Sequence, residues 1–425
     1  MGKFLETFDV AVIGGGPAGI MAAGRAAELG AKVILLEKNK TLAQKLLLTG
    51  NGRCNLTQNQ LDNRKFVKKI GLNGKFLFSS LSRFGPKKTM QFFKSKNLLL
   101  KIEEDERVFP KSDCAKDVLK ILQKYLETQK VKIFYEADII NFKLKNKQIK
   151  KIKLVLSKAK GLKNGIIQAR NYIIATGGKS YPITGSTGDG YQWLKKMGHT
   201  IIDIAPALVP IKIKENWIKD LQGLSFKNIA INIFQNNKKK VTYFGEMIFT
   251  HFGLSGPIIL NASKEIGEFL KKGKVEIKID FKPTLNFQQL DEQLQNDFQR
   301  NANKNFENYL CKLFPKKMIS IIIKLLEINA NKKINAITKE ERKNLINFLK
   351  ETKISVLGLM GYDQAIITSG GINLKEVDSK TMRSKIIDNL FFAGEILDLD
   401  GPTGGYNLQI CWSTGYTAGT YASIK

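Results

Sequence analysis

The stretch Phe8-Asp9-Val10-Ala11-Val12-Ile13-Gly14-Gly15-Gly16-Pro17-Ala18-Gly19 decides how the rest of the chain is read. Residues 8–13 are a short apolar run of the kind that forms a buried strand. Residues 17–29, rich in small side chains and closed by Gly30, have the pattern of a helix, and residues 32–37 that of a second strand. Between strand and helix stands G-x-G-x-x-G. Its glycines allow a tight turn and close backbone approach to a pyrophosphate, and the helix N-terminus then faces that anion. Glu37, 23 residues beyond Gly14, ends the second strand where a carboxylate accepts hydrogen bonds from a ribose. The order predicts a βαβ dinucleotide unit that uses Gly14, Gly16, Pro17, Ala18, Gly19, Glu37 and the adjoining Lys38.

The other end of the chain selects the dinucleotide. Residues 389–395, Asn-Leu-Phe-Phe-Ala-Gly-Glu, resemble the strand-plus-acid element that holds the ribityl chain in flavoproteins of the two-dinucleotide-fold type, and Ala175-Thr176-Gly177-Gly178 resembles another of their turns. FAD is therefore expected, held also by Thr176, Gly177, Gly394 and Glu395. Residues 401–407 place small side chains ahead of a final helix near 406–418. Backbone amides there, with the helix dipole, suit negative charge on the pyrimidine edge of a reduced flavin; Gly404, Gly405, Tyr406, Asn407 and Leu408 are the residues concerned. Residues 185–190 have the wrong glycine order for a second nucleotide turn, so NADH or NADPH is expected to dock only transiently.

At 425 residues the chain exceeds what one hydrophobic core usually organises. The expected fold is α/β: a Rossmann-like FAD-binding domain made of residues 1–200 and 351–425, a β-rich, barrel-like inserted domain at 201–283, and a small, basic helical domain at 284–350. The inserts are expected to face the substrate. The longest nearly charge-free apolar stretch, 247–263, is too short and too rich in Gly and Pro to span a bilayer, so a soluble cytoplasmic protein is expected. Four well-separated cysteines and two histidines point to neither disulfides nor a metal site, and oligomeric state is not legible.

The net charge of +31 attracts polyanions whatever the protein's task. Only 9 of the 69 basic residues are Arg, and with the heavy use of Asn and Ile that ratio also fits drift in an AT-rich genome. Residues 143–163 carry nine lysines and no acid, which reads either as a solvated hairpin or as a phosphate track. Further lysine clusters lie at 238–240 and 312–333.

Four segments carry a resemblance over nearly the whole length: residues 48–57 (LTGNGRCNLT), 175–190 (ATGGKSYPITGSTGDG) with Gly198-His199-Thr200, 249–257 (FTHFGLSGP), and 394–398 with 401–409 (GEILD, GPTGGYNLQ). On these the chain resembles the BaiN/RdsA-like (YhiN-type) flavoprotein family. Departures are Ala43-Gln44-Lys45, where relatives carry Gly, a basic residue and Lys, and Asn51 in place of a Gly. The resemblance implies three domains and bound FAD, with Lys45, Gly52 and Arg53 among the residues at the cofactor. It also implies one of several substrates: a uridine of large-subunit ribosomal RNA reduced to dihydrouridine, a bile-acid intermediate, or aminoacetone. The dihydrouridine reaction makes ribosomal RNA the expected partner; a small amine, enone or steroid-like molecule is the alternative substrate.

Uracil reduction needs hydride at C6 and a proton at C5 from an acid on the other face, a role open to a thiol of suitable pKa. Cys54, beside Arg53, is the first candidate, the alternative being a small residue packing under the loop. Arg53 would orient a carbonyl or phosphate. His251 is the second candidate acid, or else a turn histidine satisfied by backbone. Cys411 reads as core and His199 as structural.

Overall fold

The computed structural model describes residues 4–156 and 163–424 and divides into two compact units, Met1–Pro206 with Tyr362–Lys425, and Ala207–Gly361. The first unit is built on the strand Phe4–Ile13. It pairs in parallel with Val33–Leu36 on one side and with Lys163–Ile174 on the other, and Lys132–Phe134 extends the sheet beyond Val33–Leu36. The far edge of the long strand Lys163–Ile174 is shared. Its first half pairs with an antiparallel hairpin, Ala137–Lys145 and Gln148–Leu156, while residues 172–174 pair in parallel with Leu390–Phe392. Val10, Ala11 and Val12 are fully buried, as befits a central parallel strand covered on both faces.

Helix Pro17–Glu28 starts with Pro in its first turn and packs along the last helix, Tyr406–Ala422. The contact is backbone on backbone. A Cβ on Gly415 would lie 2.4 Å from the Ala18 carbonyl oxygen, and one on Gly419 would lie 2.3 Å from that of Ala22. Small residues four apart on both helices bring the two ends of the chain together and bury them in one apolar core.

The second unit is a closed barrel of six strands, in the order Ile211–Ile213, Gly253–Ser255, Lys238–Phe249, Ser225–Gln235, Val275–Asp280 and Thr352–Leu359. Thr352–Leu359 pairs with both Val275–Asp280 and Ile211–Ile213 and so completes the ring. From sequence, residues beyond 350 fall in the nucleotide domain; the strand instead alternates buried and exposed positions to fit the barrel wall. The helices Phe287–Arg300, Phe306–Leu310, Lys316–Leu326 and Lys339–Glu351 are inserted between the last two barrel strands. Their apolar faces share one core with the barrel interior. Among the described residues no helix is long and apolar enough to cross a membrane.

Candidate cofactor cleft

In the first unit a cleft of about 390 Å³ opens where the strands of the parallel sheet end in the glycine turn. Gly14 has φ +102°, and a Cβ there would lie 2.5 Å from the Ala175 carbonyl oxygen, so only glycine fits. Gly16 differs. Its backbone is extended at φ −79°, and a Cβ there would meet no atom within 4 Å. The protein leaves that space open directly at the N-terminus of helix Pro17–Glu28, where unpaired N–H groups and the helix dipole favour an anion.

Glu37 stands beside the turn, at the end of the neighbouring strand. Its carboxylate accepts hydrogen bonds from the N–H groups of Gly15 (2.7 Å) and Asn39 (2.7 Å), which hold it in place while leaving acceptor capacity toward the cleft. Burial pushes its pKa above the usual carboxylate value, against the pull of those two bonds and of Lys38. Lys38 reaches Thr187 Oγ1 (2.6 Å) and Asp189 Oδ2 (2.9 Å), and Asn39 donates to the Thr184 carbonyl (3.0 Å). Residues 184–189, part of the family segment 175–190 but not among the residues expected at the cofactor, thereby form part of the cleft wall.

At the other end Lys45 donates to Ser180 Oγ (2.5 Å) and to Glu395 (2.9 Å), and Glu395 accepts further bonds from Thr368 N–H (2.7 Å) and Ser180 Oγ (3.0 Å). This half-buried network joins the short helix Gln44–Leu48 to the turn Gly394–Ile396 that follows strand Leu390–Phe392. Thr176 lines the same cleft, and its buried hydroxyl has no hydrogen-bond partner among the described residues. Cys411, expected in the core from its apolar neighbours, instead lines the cleft, and burial pushes its thiol up to about 12. An open anion space at a helix start, a fixed carboxylate one strand away and an unsatisfied hydroxyl together fit a dinucleotide such as FAD.

Of the residues read from sequence, Gly14, Gly16, Pro17, Ala18, Glu37, Lys38, Lys45, Thr176, Gly177 and Glu395 line the cleft. Gly19 lies behind it, where a Cβ would collide with the Gly14 carbonyl oxygen at 1.8 Å, and Gly394 faces Ala18 in the same way. Gly52, Arg53 and Cys54 stand outside the cleft lining, as do Gly404, Gly405, Tyr406, Asn407 and Leu408. These two groups are tied to each other. Thr57 Oγ1 bonds Gln409 (2.5 Å), the Trp412 indole N–H donates to the Leu56 carbonyl (2.9 Å), and the Asn407 side chain closes the 401–407 turn through Gly401. Gly405, with φ +94°, caps the final helix and meets the backbone of Thr57.

Cys54 is completely buried at φ +63°, and burial pushes its thiol up to about 12, against a hydrogen bond with Thr49. Arg53 is committed to Glu103 (3.0 Å) and Asp113 (3.3 Å), which Lys101 also bridges, and its guanidinium lies 4.1 Å over the Phe109 ring. His251 belongs to the second unit. It is exposed on the turn between strands Lys238–Phe249 and Gly253–Ser255, with its ring edge-on to Phe252. His199 is structural: buried, 2.8 Å from Ser384 Oγ, edge-on to Phe392, with burial lowering its pKa. Among the described residues no cluster of three or more His, Cys, Asp or Glu has metal-site geometry.

The model of the HI0933-like protein Rossmann domain matches residues 8–421. A 3-dehydro-bile acid delta(4,6)-reductase of Clostridium scindens is 32% identical over 98% of this chain and 99% of its own. A ribosomal RNA dihydrouridine synthase of Haemophilus influenzae is 29% identical over 95% and 96%. Among solved structures, the open conformation of a flavocytochrome c3 fumarate reductase aligns with a TM-score of 0.53 at 16% identity, covering 98% of this chain and 78% of that one, a likeness of fold alone.

Proposed function

Because this chain belongs to the HI0933-like family of FAD-dependent oxidoreductases, we propose that it reduces a uridine of large-subunit ribosomal RNA to dihydrouridine in the cytoplasm, with NADH or NADPH as the source of electrons. The observation that carries the redox part is the cleft itself, with its open anion space at Gly16 and the fixed carboxylate of Glu37. The RNA part is supported by the net charge of +31 and by the relative named for that reaction.

Bound FAD supplies the hydride. The chain's share begins with holding the dinucleotide: N–H groups of helix Pro17–Glu28 for the pyrophosphate, Glu37 for the adenosine ribose, and Glu395, oriented by Lys45 and Ser180, for the ribityl chain. The start of helix Tyr406–Ala422 offers N–H groups to negative charge. At the uridine, C6 takes the hydride and C5 a proton. Burial in the closed loop raises the Cys54 thiol, and opening the loop would return it toward the ordinary thiol range, still protonated at neutral pH and more readily able to give its proton up. Cys54 is therefore the proposed acid, on the condition that the 49–57 loop opens to bring it to substrate, and His251 is the second candidate. The bile-acid relative favours a second reading, because its substrate class also presents a C=C bond conjugated to a carbonyl; this is reduction of a small enone.

The test is mass-spectrometric mapping of dihydrouridine in large-subunit ribosomal RNA from cells with and without the gene, followed by restoration with purified holoprotein and NAD(P)H. Loss and recovery at one uridine is the expected outcome. An unchanged map, with turnover of a 3-oxo-4,6-diene steroid, would replace the RNA reading with the enone one.

A further inference from the structure

The hairpin Ala137–Lys145 and Gln148–Leu156 begins at the cofactor cleft, whose wall includes Ala137, Asp138 and Ile139, and runs outward from it. Its register sorts the side chains. Phe142 pairs with Ile152, both buried, while Lys143 sits directly opposite Lys151 and Asn141 opposite Lys153 on the solvent side. Lys145, Lys147 and Lys150 surround the turn. Among the described residues none of these six lysines has a carboxylate within ion-pair distance. Lys158 and Lys160 of the same basic run lie outside the described residues. Like charges directly opposed across two strands are destabilising, and helpful carboxylates are absent from residues 143–163 altogether. A hairpin that only needed solubility would gain from mixing signs, as surfaces elsewhere on the unit do in the Arg53, Lys101, Glu103 and Asp113 network.

We propose that the solvent face of this hairpin, with Lys143, Lys151 and Lys153 at its centre, is the docking surface for the phosphate backbone of the RNA substrate. The inference rests on the RNA reading above. It takes the phosphate-track alternative for residues 143–163 and puts RNA contact on the FAD-binding unit rather than on the inserts, which the sequence expected to face the substrate. The charge distribution agrees: residues 207–361 carry 26 Lys and Arg against 15 Asp and Glu, so the excess is not concentrated in the insert. Lysines rather than arginines suit backbone contact without base readout, because a lysine acts as a point charge and lacks the planar fork that reads guanine. Sequence choice would then be left to the cleft.

The test compares two charge-reversed holoproteins by fluorescence anisotropy with a labelled single-stranded oligouridylate over a range of salt. One carries Lys143→Glu, Lys151→Glu and Lys153→Glu; the other carries Lys238→Glu, Lys239→Glu and Lys240→Glu, an equal change on an exposed hairpin of the second unit. Flavin absorbance confirms that both fold and load. The first is expected to bind about tenfold or more weakly, with a salt slope shallower by roughly 2, as three lost single-strand phosphate contacts require, and the second less than about threefold more weakly. Equal losses in the two would overturn the hairpin in favour of a general field while leaving the RNA reading intact. Binding of wild type to anionic lipid vesicles but not to RNA would overturn the RNA reading as well.

Discussion

The glycine turn at 14–19 and the loop at 49–57 lie in the same unit and are built on opposite principles. The turn is made of backbone: its conformation and the empty space at Gly16 leave side chains almost no part, and the side chain proposed to serve it, Glu37, is pinned by two N–H groups. The loop is made of partnerships. Arg53 is held by two carboxylates, Cys54 is sealed in the core, and residues 56 and 57 hang on the final helix. A site made of backbone tolerates no added atoms, whereas a site made of side-chain contacts loses its strength one bond at a time.

That contrast can be broken by mutation. The largest effect belongs to the turn: Gly19→Val puts atoms where a Cβ alone is 1.8 Å from a carbonyl oxygen, and purified protein is expected to contain no flavin and to unfold at a markedly lower temperature. Glu37→Gln keeps the shape and removes the charge; FAD affinity measured by fluorescence quenching is expected to fall about 10- to 100-fold, the value of a charged hydrogen bond at ~1.5–3 kcal/mol. In the loop, Cys54→Ala is expected to cost about 1–2 kcal/mol in chemical denaturation through the small cavity it leaves, with FAD retained. The reductase activity proposed above, assayed in this variant, decides the acid: loss supports Cys54, and full retention removes it. The smallest effect is expected for Arg53→Met, whose network is solvent-screened; a slight drop in melting temperature that vanishes in high salt would match, and loss of flavin would show the loop to be as intolerant as the turn.

A pH experiment sharpens the same division. His199 has its pKa lowered by burial, so the unfolded chain binds its proton more readily than the folded one. Its contribution to stability is present above the ordinary histidine value and is lost as pH falls below it toward the folded-state value. Thermal melts from pH 7.5 down to 5 are expected to fall in wild type and to fall less in His199→Gln, with no change in flavin affinity.

What could be read in the sequence follows the same line. The strand, glycine turn, helix and Glu37 are contiguous, and each residue type there answers a local steric or charge demand, so they were legible together. The Gly394-Glu395 element was legible because it, too, is a backbone motif. The segment 184–189 was visible as part of a family motif, but its part in the cleft wall was not, since that place comes from Lys38 and Asn39 reaching across some 150 residues of sequence. Cys411 looked like core because helix periodicity says which face is apolar and cannot say that one position of that face opens on a cleft. The barrel strand Thr352–Leu359 was missed for a related reason: its partners are Ile211–Ile213 and Val275–Asp280, and pairing over such separations leaves no local mark.

The packing of Ala18 and Ala22 against Gly415 and Gly419 has a consequence for how the protein is made. Ribosomes add about 5–20 residues per second, so roughly 20–80 s pass between synthesis of the first helix and synthesis of the helix that covers it. Throughout that interval the nascent chain holds a bare alanine face and a half-walled nucleotide cleft, a window in which a chaperone can engage it and FAD cannot yet be retained.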